Sequence, residues 1–112
     1  MAYQPLRITV EAVEEARLIR VAGELDASTA KDLRAHVGAA RHERATLLLD
    51  LADVKFIDSS GLRVLLDASR AAADTGWSFF IVRPSSMVQR LIALTGSASE
   101  LALVESDERA AA

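Results

Sequence analysis

The run Leu47-Leu48-Leu49-Asp50-Leu51 is followed, after a short polar junction, by an amphipathic stretch and then by Trp77-Ser78-Phe79-Phe80-Ile81-Val82. This order constrains the chain more than any other feature. A short, nearly continuous apolar run is what a strand covered on both faces looks like in a parallel or mixed sheet. In the stretch between the runs, Leu62, Leu65, Leu66, Ser69, Ala72 and Ala73 recur at helical spacing and stop near Gly76, a residue suited to a left-handed helix end. A strand–helix–strand unit of this length joins parallel strands through a right-handed crossover. The centre of the molecule is therefore expected to be a pair of parallel strands with a helix laid across them.

The flanks extend that unit on both sides. Leu6, Ile8 and Val10 alternate with Arg7 and Thr9, the period-two pattern of an edge strand with one face buried. Leu18-Ile19-Arg20-Val21-Ala22 reads as a second strand stopping at Gly23, paired with the first as a hairpin through Glu11 to Ala16. A polar loop, Gly23 to Thr29, leads into a helix with apolar positions Ala30, Leu33, Val37 and Ala40. Ser28 or Thr29 is placed to cap it, and Thr29 with Asp32 has the spacing of a capping box. Pro84-Ser85 opens a third helix with Val88, Leu91, Ile92 and Thr95 on one stripe, closed by Gly96. Leu101-Ala102-Leu103-Val104 reads as a last strand, and the alanine-rich tail from Glu105 to Ala112 as a short helix. At 112 residues, without linkers or repeats, this is one α/β domain.

Composition narrows the chemistry. The absence of cysteine excludes disulfides, thiolate metal sites and cysteine nucleophiles. A net charge of −3 with scattered basic residues is no footprint for nucleic acid, and a protein partner is expected. The N-terminus lacks the basic start and apolar stretch of a secretion signal, and no apolar run approaches membrane-spanning length. The expectation is a cytoplasmic protein without direct membrane insertion.

No catalytic constellation is assembled. His36 and His42 are six apart on one expected helix, on different faces rather than in a shared metal grip. Ser59 and Ser60 lack the flanking glycines of a nucleophile elbow and a nearby histidine base. Neither glycine-rich phosphate loop is present. Paired carboxylates, Asp50 with Asp53 or Asp26 with Asp58, are explained by loop and capping duty. Trp77 reads as strand packing. The junction Phe56-Ile57-Asp58-Ser59-Ser60-Gly61-Leu62 stands apart, with two hydroxyls and a carboxylate where a helix begins. A helix start offers unpaired N–H groups and partial positive charge, suited to an acceptor oxygen or an added phosphate. The plainer role for Asp58, Ser59 or Ser60 is to cap the helix.

Gly23-Glu24-Leu25-Asp26 with Thr29-Ala30, then Asp58-Ser59-Ser60-Gly61-Leu62, then Pro84 with Val88, Arg90-Leu91 and Thr95-Gly96, together resemble the STAS domain of bacterial anti-sigma factor antagonists. The resemblance spans nearly the whole chain. It implies a single STAS domain over residues 1–112, with a mixed four- to five-stranded sheet and interleaved α-helices packed mainly on one side. It also implies a partner-switching regulator with no catalytic activity and no cofactor. In such systems the unphosphorylated antagonist binds an anti-sigma factor and frees the sigma factor. The anti-sigma factor is also the serine kinase, supplying ATP and Mg²⁺, and a separate serine phosphatase reverses the mark. By this likeness Ser59 is the phosphoacceptor, and Asp26, Thr29, Asp58, Ser60, Gly61 and Arg63 belong to the partner-binding surface.

Phosphorylation would add about −1.5 to −2 charge at the helix start, and the expectation is that this charge disrupts docking rather than refolding the domain. Arg63, four residues after Ser59, is near enough to meet the phosphate or else is a solvated arginine on an exposed face. Gly96-Ser97-Ala98-Ser99 lacks the apolar residue the family places after that glycine. Two other functions fit the same chain. One is a STAS subunit of an ABC-type lipid transport system without a phosphoserine switch, and the other is an enzyme with Ser59 as nucleophile.

Overall fold

A computed structural model describes residues 5–104. Strands β1 (Leu6–Val13) and β2 (Ala16–Leu25) form an antiparallel hairpin, followed by helix α1 (Ala30–His42), strand β3 (Thr46–Ile57) and helix α2 (Ser59–Thr75). Strand β4 (Phe79–Val82), helix α3 (Ser86–Thr95), a 3-10 turn at Ala98–Glu100 and strand β5 (Leu103–Val104) complete the described chain. The sheet order is β1-β2-β3-β4-β5, with β2 through β5 parallel. The expected mixed α/β sheet is thus present, with five strands. The expected tail helix, Glu105 to Ala112, lies outside the described residues. No helix among the described residues is long and apolar enough to cross a membrane.

Strand alternation divides the sheet into two unequal faces. Ile19, Val21 and Leu25 of β2, Leu47, Leu49, Leu51, Val54 and Ile57 of β3, and Phe79 and Ile81 of β4 form one core with the buried sides of all three helices. Side chains this deeply buried contribute about 1.5–3 kcal/mol each. The opposite face carries a smaller cluster, Leu18, Leu48 and Val82 packed with Phe80 and Val104. Beside it Asp50, within β3 and 4% exposed, receives Arg83 and lies 3.8 Å from Arg20 Nε. Asp50 is therefore a sheet residue satisfied by two arginines, not a loop residue. The strand is covered on both faces as expected, but by helices on one side and by its neighbours' side chains on the other.

Several boundaries differ from those the pattern suggests. The hairpin turn is shorter, because β1 continues to Val13 and Glu14 takes a positive φ of 55°. The second strand does not stop at Gly23. The glycine takes φ +110° and a register irregularity lets the chain run on to Leu25; a Cβ at Gly23 would collide with the Pro5 carbonyl oxygen. Glu24 N donates to that same oxygen at 2.6 Å. On α2 the buried stripe is Gly61, Leu62, Val64, Leu65 and Ala68, turned away from Ala73, which is exposed. Trp77 precedes β4, stacks on Phe79 with centroids 5.8 Å apart, and donates from Nε1 to Ala45 O at 2.7 Å. After Gly96, Ser97 is buried, pairs with the Thr95 hydroxyl at 2.8 Å, and the 3-10 turn delivers Leu101 to the core. The missing apolar residue is replaced a few positions later.

Candidate functional site

Two segments meet at the carboxyl ends of β2 and β3. Leu25 pairs with Ile57 at the last rung of the parallel ladder, so the loop beginning at Asp26 and the junction beginning at Asp58 emerge side by side. Asp58 N donates to Leu25 O at 3.2 Å, and a Cβ on Gly61 would stand 2.8 Å from that oxygen. Only a glycine lets the first turn of α2 approach the end of β2 this closely.

Each loop is then shaped by its own polar groups. Asp58 is the N-cap of α2, accepting through Oδ1 from Ser60 N at 2.8 Å and Gly61 N at 3.3 Å. Two of the helix's orphan donors are thereby satisfied. In the other loop the Asp26 carboxylate accepts from the Ser28 hydroxyl at 2.8 Å, Ser28 N at 3.0 Å and Thr29 N at 3.2 Å. The Ser28 hydroxyl foremost holds the Asp26 pKa below its usual value, against desolvation, with the remaining hydrogen bonds from Ser28 and Thr29 acting in the same sense.

The capping box expected for Thr29 and Asp32 does not form. Thr29 is the N-cap residue of α1, but its side chain caps nothing. Its hydroxyl donates to Glu24 O at 2.8 Å and accepts from Asp26 N at 2.9 Å, closing the loop on itself. Helix α1 therefore starts without a side-chain cap, and the Asp26 carboxylate meets the N–H groups of Ser28 and Thr29 in the loop that precedes it.

The expected site residues therefore divide into three sets by exposure. Ser59 and Arg63 are exposed, Asp26, Asp58 and Ser60 half-buried, and Thr29 and Gly61 buried. Thr29 and Gly61 can reach a partner only through the loops they shape. Ser59, the first residue of α2, has no hydrogen-bond partner for its hydroxyl among the described residues. Ser59, Ser60, Leu62, Arg63 and Leu66 line an open concavity of about 460 Å³. Leu25 and Ile57, which bring the two loops together, were not singled out as site residues. Their signal lies in the strand register, which a single sequence does not display. The arrangement presents a hydroxyl, two carboxylates and a guanidinium on one end of the sheet.

A family model described as the STAS domain matches residues 7–111. The chain is 29% identical over 93 residues to an anti-sigma F factor antagonist of Paenibacillus polymyxa, covering 81% of this chain and 80% of that protein. It is likewise 29% identical over 91 residues to an anti-sigma-B factor antagonist of Bacillus subtilis (strain 168), covering 81% and 84%. Among solved structures, that of an anti-sigma factor antagonist from Mycobacterium paratuberculosis superposes with a TM-score of 0.82 at 27% identity, covering 95% of this chain and 91% of that one.

Proposed function

This chain belongs to the STAS domain family, and from that premise we propose that it is an anti-sigma factor antagonist working by partner switching in the cytoplasm. With Ser59 unmodified it binds an anti-sigma factor and frees a sigma factor. The anti-sigma factor is also the serine kinase, bringing its own ATP and Mg²⁺; phosphorylation of Ser59 ends the complex, and a serine phosphatase restores it. The domain itself contributes binding, not catalysis.

The observation that carries this reading is the exposed, uncommitted hydroxyl of Ser59 at the first position of α2, beside the Asp26 loop. Asp26, Asp58, Ser60 and Arg63 supply the polar part of the docking surface, and Thr29 and Gly61 hold its shape. A phosphate on Ser59 would bring roughly two negative charges near the carboxylates of Asp26 and Asp58, and within an interface it would be desolvated. Each 1.4 kcal/mol lost there is about tenfold in affinity.

The test is the intact mass of the protein purified from its native cells, wild type against Ser59→Ala. A phosphate on the wild type that is absent from the variant supports the switch. No phosphate under varied growth and stress conditions, together with co-purification of an ABC ATPase, would replace this reading with that of a transport subunit.

A further inference from the structure

Arg63 stands four residues after Ser59 on α2, a spacing that places two side chains on one helix face with Cβ atoms about 5–6 Å apart. Both line the same open concavity. The carboxylate that would ordinarily hold Arg63 along the helix is Asp67, four residues further on. Asp67 is instead taken by Arg34 of α1 at 2.9 Å. The Asp58 carboxylate is engaged by the backbone N–H groups of Ser60 and Gly61. Arg17, Arg20, Arg34, Arg70 and Arg83 each meet a carboxylate. Arg63 is exposed and, like Arg7, Arg41, Arg44 and Arg90, meets none among the described residues, but of these it alone lines the concavity with Ser59.

We infer that Arg63 is the internal counter-ion of a phosphate on Ser59, a positioning residue that holds the phosphoryl group along α2 and sets how strongly the mark repels a partner. The inference rests on Ser59 being the modified residue. A guanidinium can give a phosphate two parallel hydrogen bonds, which fixes direction as well as charge. The Ser59–Arg63 pair would then present about one negative charge in place of nearly two, so that the guanidinium tempers the repulsion the phosphate adds beside Asp26 and Asp58. A carboxylate placed at position 59 has less charge and fewer acceptor oxygens, and imitates the pair poorly.

The test needs no kinase. Phosphoserine is installed at position 59 during translation, and its second ionisation, near pH 6 when unperturbed, is followed by ³¹P NMR in the wild type, Arg63→Ala and Arg63→Lys. Removing the guanidinium is expected to raise the midpoint by roughly 0.7 pH unit, the size of a water-exposed charge pair at 4 Å. Lysine recovers part of the shift. Asp26→Asn, which removes a like charge, moves the midpoint down. A midpoint unchanged by Arg63→Ala, with the amide spectrum showing an intact fold, overturns the inference. Absence of phosphate in native cells would defeat the functional reading while leaving this result standing.

Discussion

Gly61 packs against Leu25 with no room for a side chain: a Cβ at position 61 would stand 2.8 Å from both the Leu25 carbonyl oxygen and Leu25 Cγ, and 2.9 Å from Ile57 Cγ1. The Asp58 N–H donates to the same carbonyl. The first turn of α2 and the end of β2 therefore behave as one rigid corner. Ser59 sits on the outside of that corner, where an added charge is expected to change what the surface repels more readily than how the chain folds.

Gly61→Ala is expected to destabilise the domain by about 1–3 kcal/mol, because a backbone oxygen in the way cannot be repacked as a flexible side chain can. Gly38→Ala, in α1, meets nothing within 4 Å and is expected to stabilise by about 0.5–1 kcal/mol. Urea unfolding midpoints of the two variants should move in opposite directions.

Asp58→Ala removes the acceptor for Ser60 N and Gly61 N. The expected loss is about 1 kcal/mol, with Asp58→Asn retaining most of the wild-type stability. Hydrogen exchange at the start of α2 should accelerate in the alanine variant and not in the asparagine one.

The Asp26 carboxyl is expected to titrate below its usual 3.8, chiefly because the Ser28 hydroxyl donates to it. A depressed folded-state pKa gives stability that is present above the unfolded value and lost as pH falls through the lower folded one. Asp26→Asn should therefore flatten the acid limb of the stability curve below about pH 4. Carboxyl ¹³C NMR should show the midpoint rise in Ser28→Ala; an unmoved midpoint would assign the depression to the other donors.

In binding to the cognate anti-sigma factor, Ser59→Ala should match the wild type and Ser59→Asp should weaken affinity by tenfold or more, or about 1.4 kcal/mol. Backbone amide changes in the aspartate variant should stay near residues 58–63 and the neighbouring loop at 26–29. Changes spread across the sheet would mean that the charge refolds the domain.

The βαβ centre was legible because its signals are local and periodic: Leu47 to Leu51 is apolar but for Asp50, and α2 ends at a glycine that takes φ +76°. The buried positions of α1, Ala30, Leu33, Val37 and Ala40, are those its spacing indicates. Gly23 misled for a physical reason. A glycine commonly marks the end of a strand, but here its positive φ permits an irregularity that keeps the chain in the sheet for two more residues. Thr29 misled because a hydroxyl can satisfy either the helix or its own loop, and the choice depends on where Glu24 O lies. At the site, the cap at Asp58 was readable because it bonds within three residues. The meeting of the Asp26 and Asp58 loops is implied by the family resemblance alone, because it depends on the Leu25–Ile57 register, which no local spacing displays.

Trp77 is the chain's only tryptophan. Bound to Ala45 O and stacked on Phe79, it stands where β3 and β4 begin, whereas Ser59 follows the end of β3. At ~3.3 Å per residue the twelve residues of β3 separate the two by roughly 36 Å. The molecule thus carries a native fluorophore at the end of the sheet remote from Ser59. Its emission is expected to register loss of the fold and to stay unchanged when a partner docks beside Ser59, so that stability and recognition could be followed in one sample without a label.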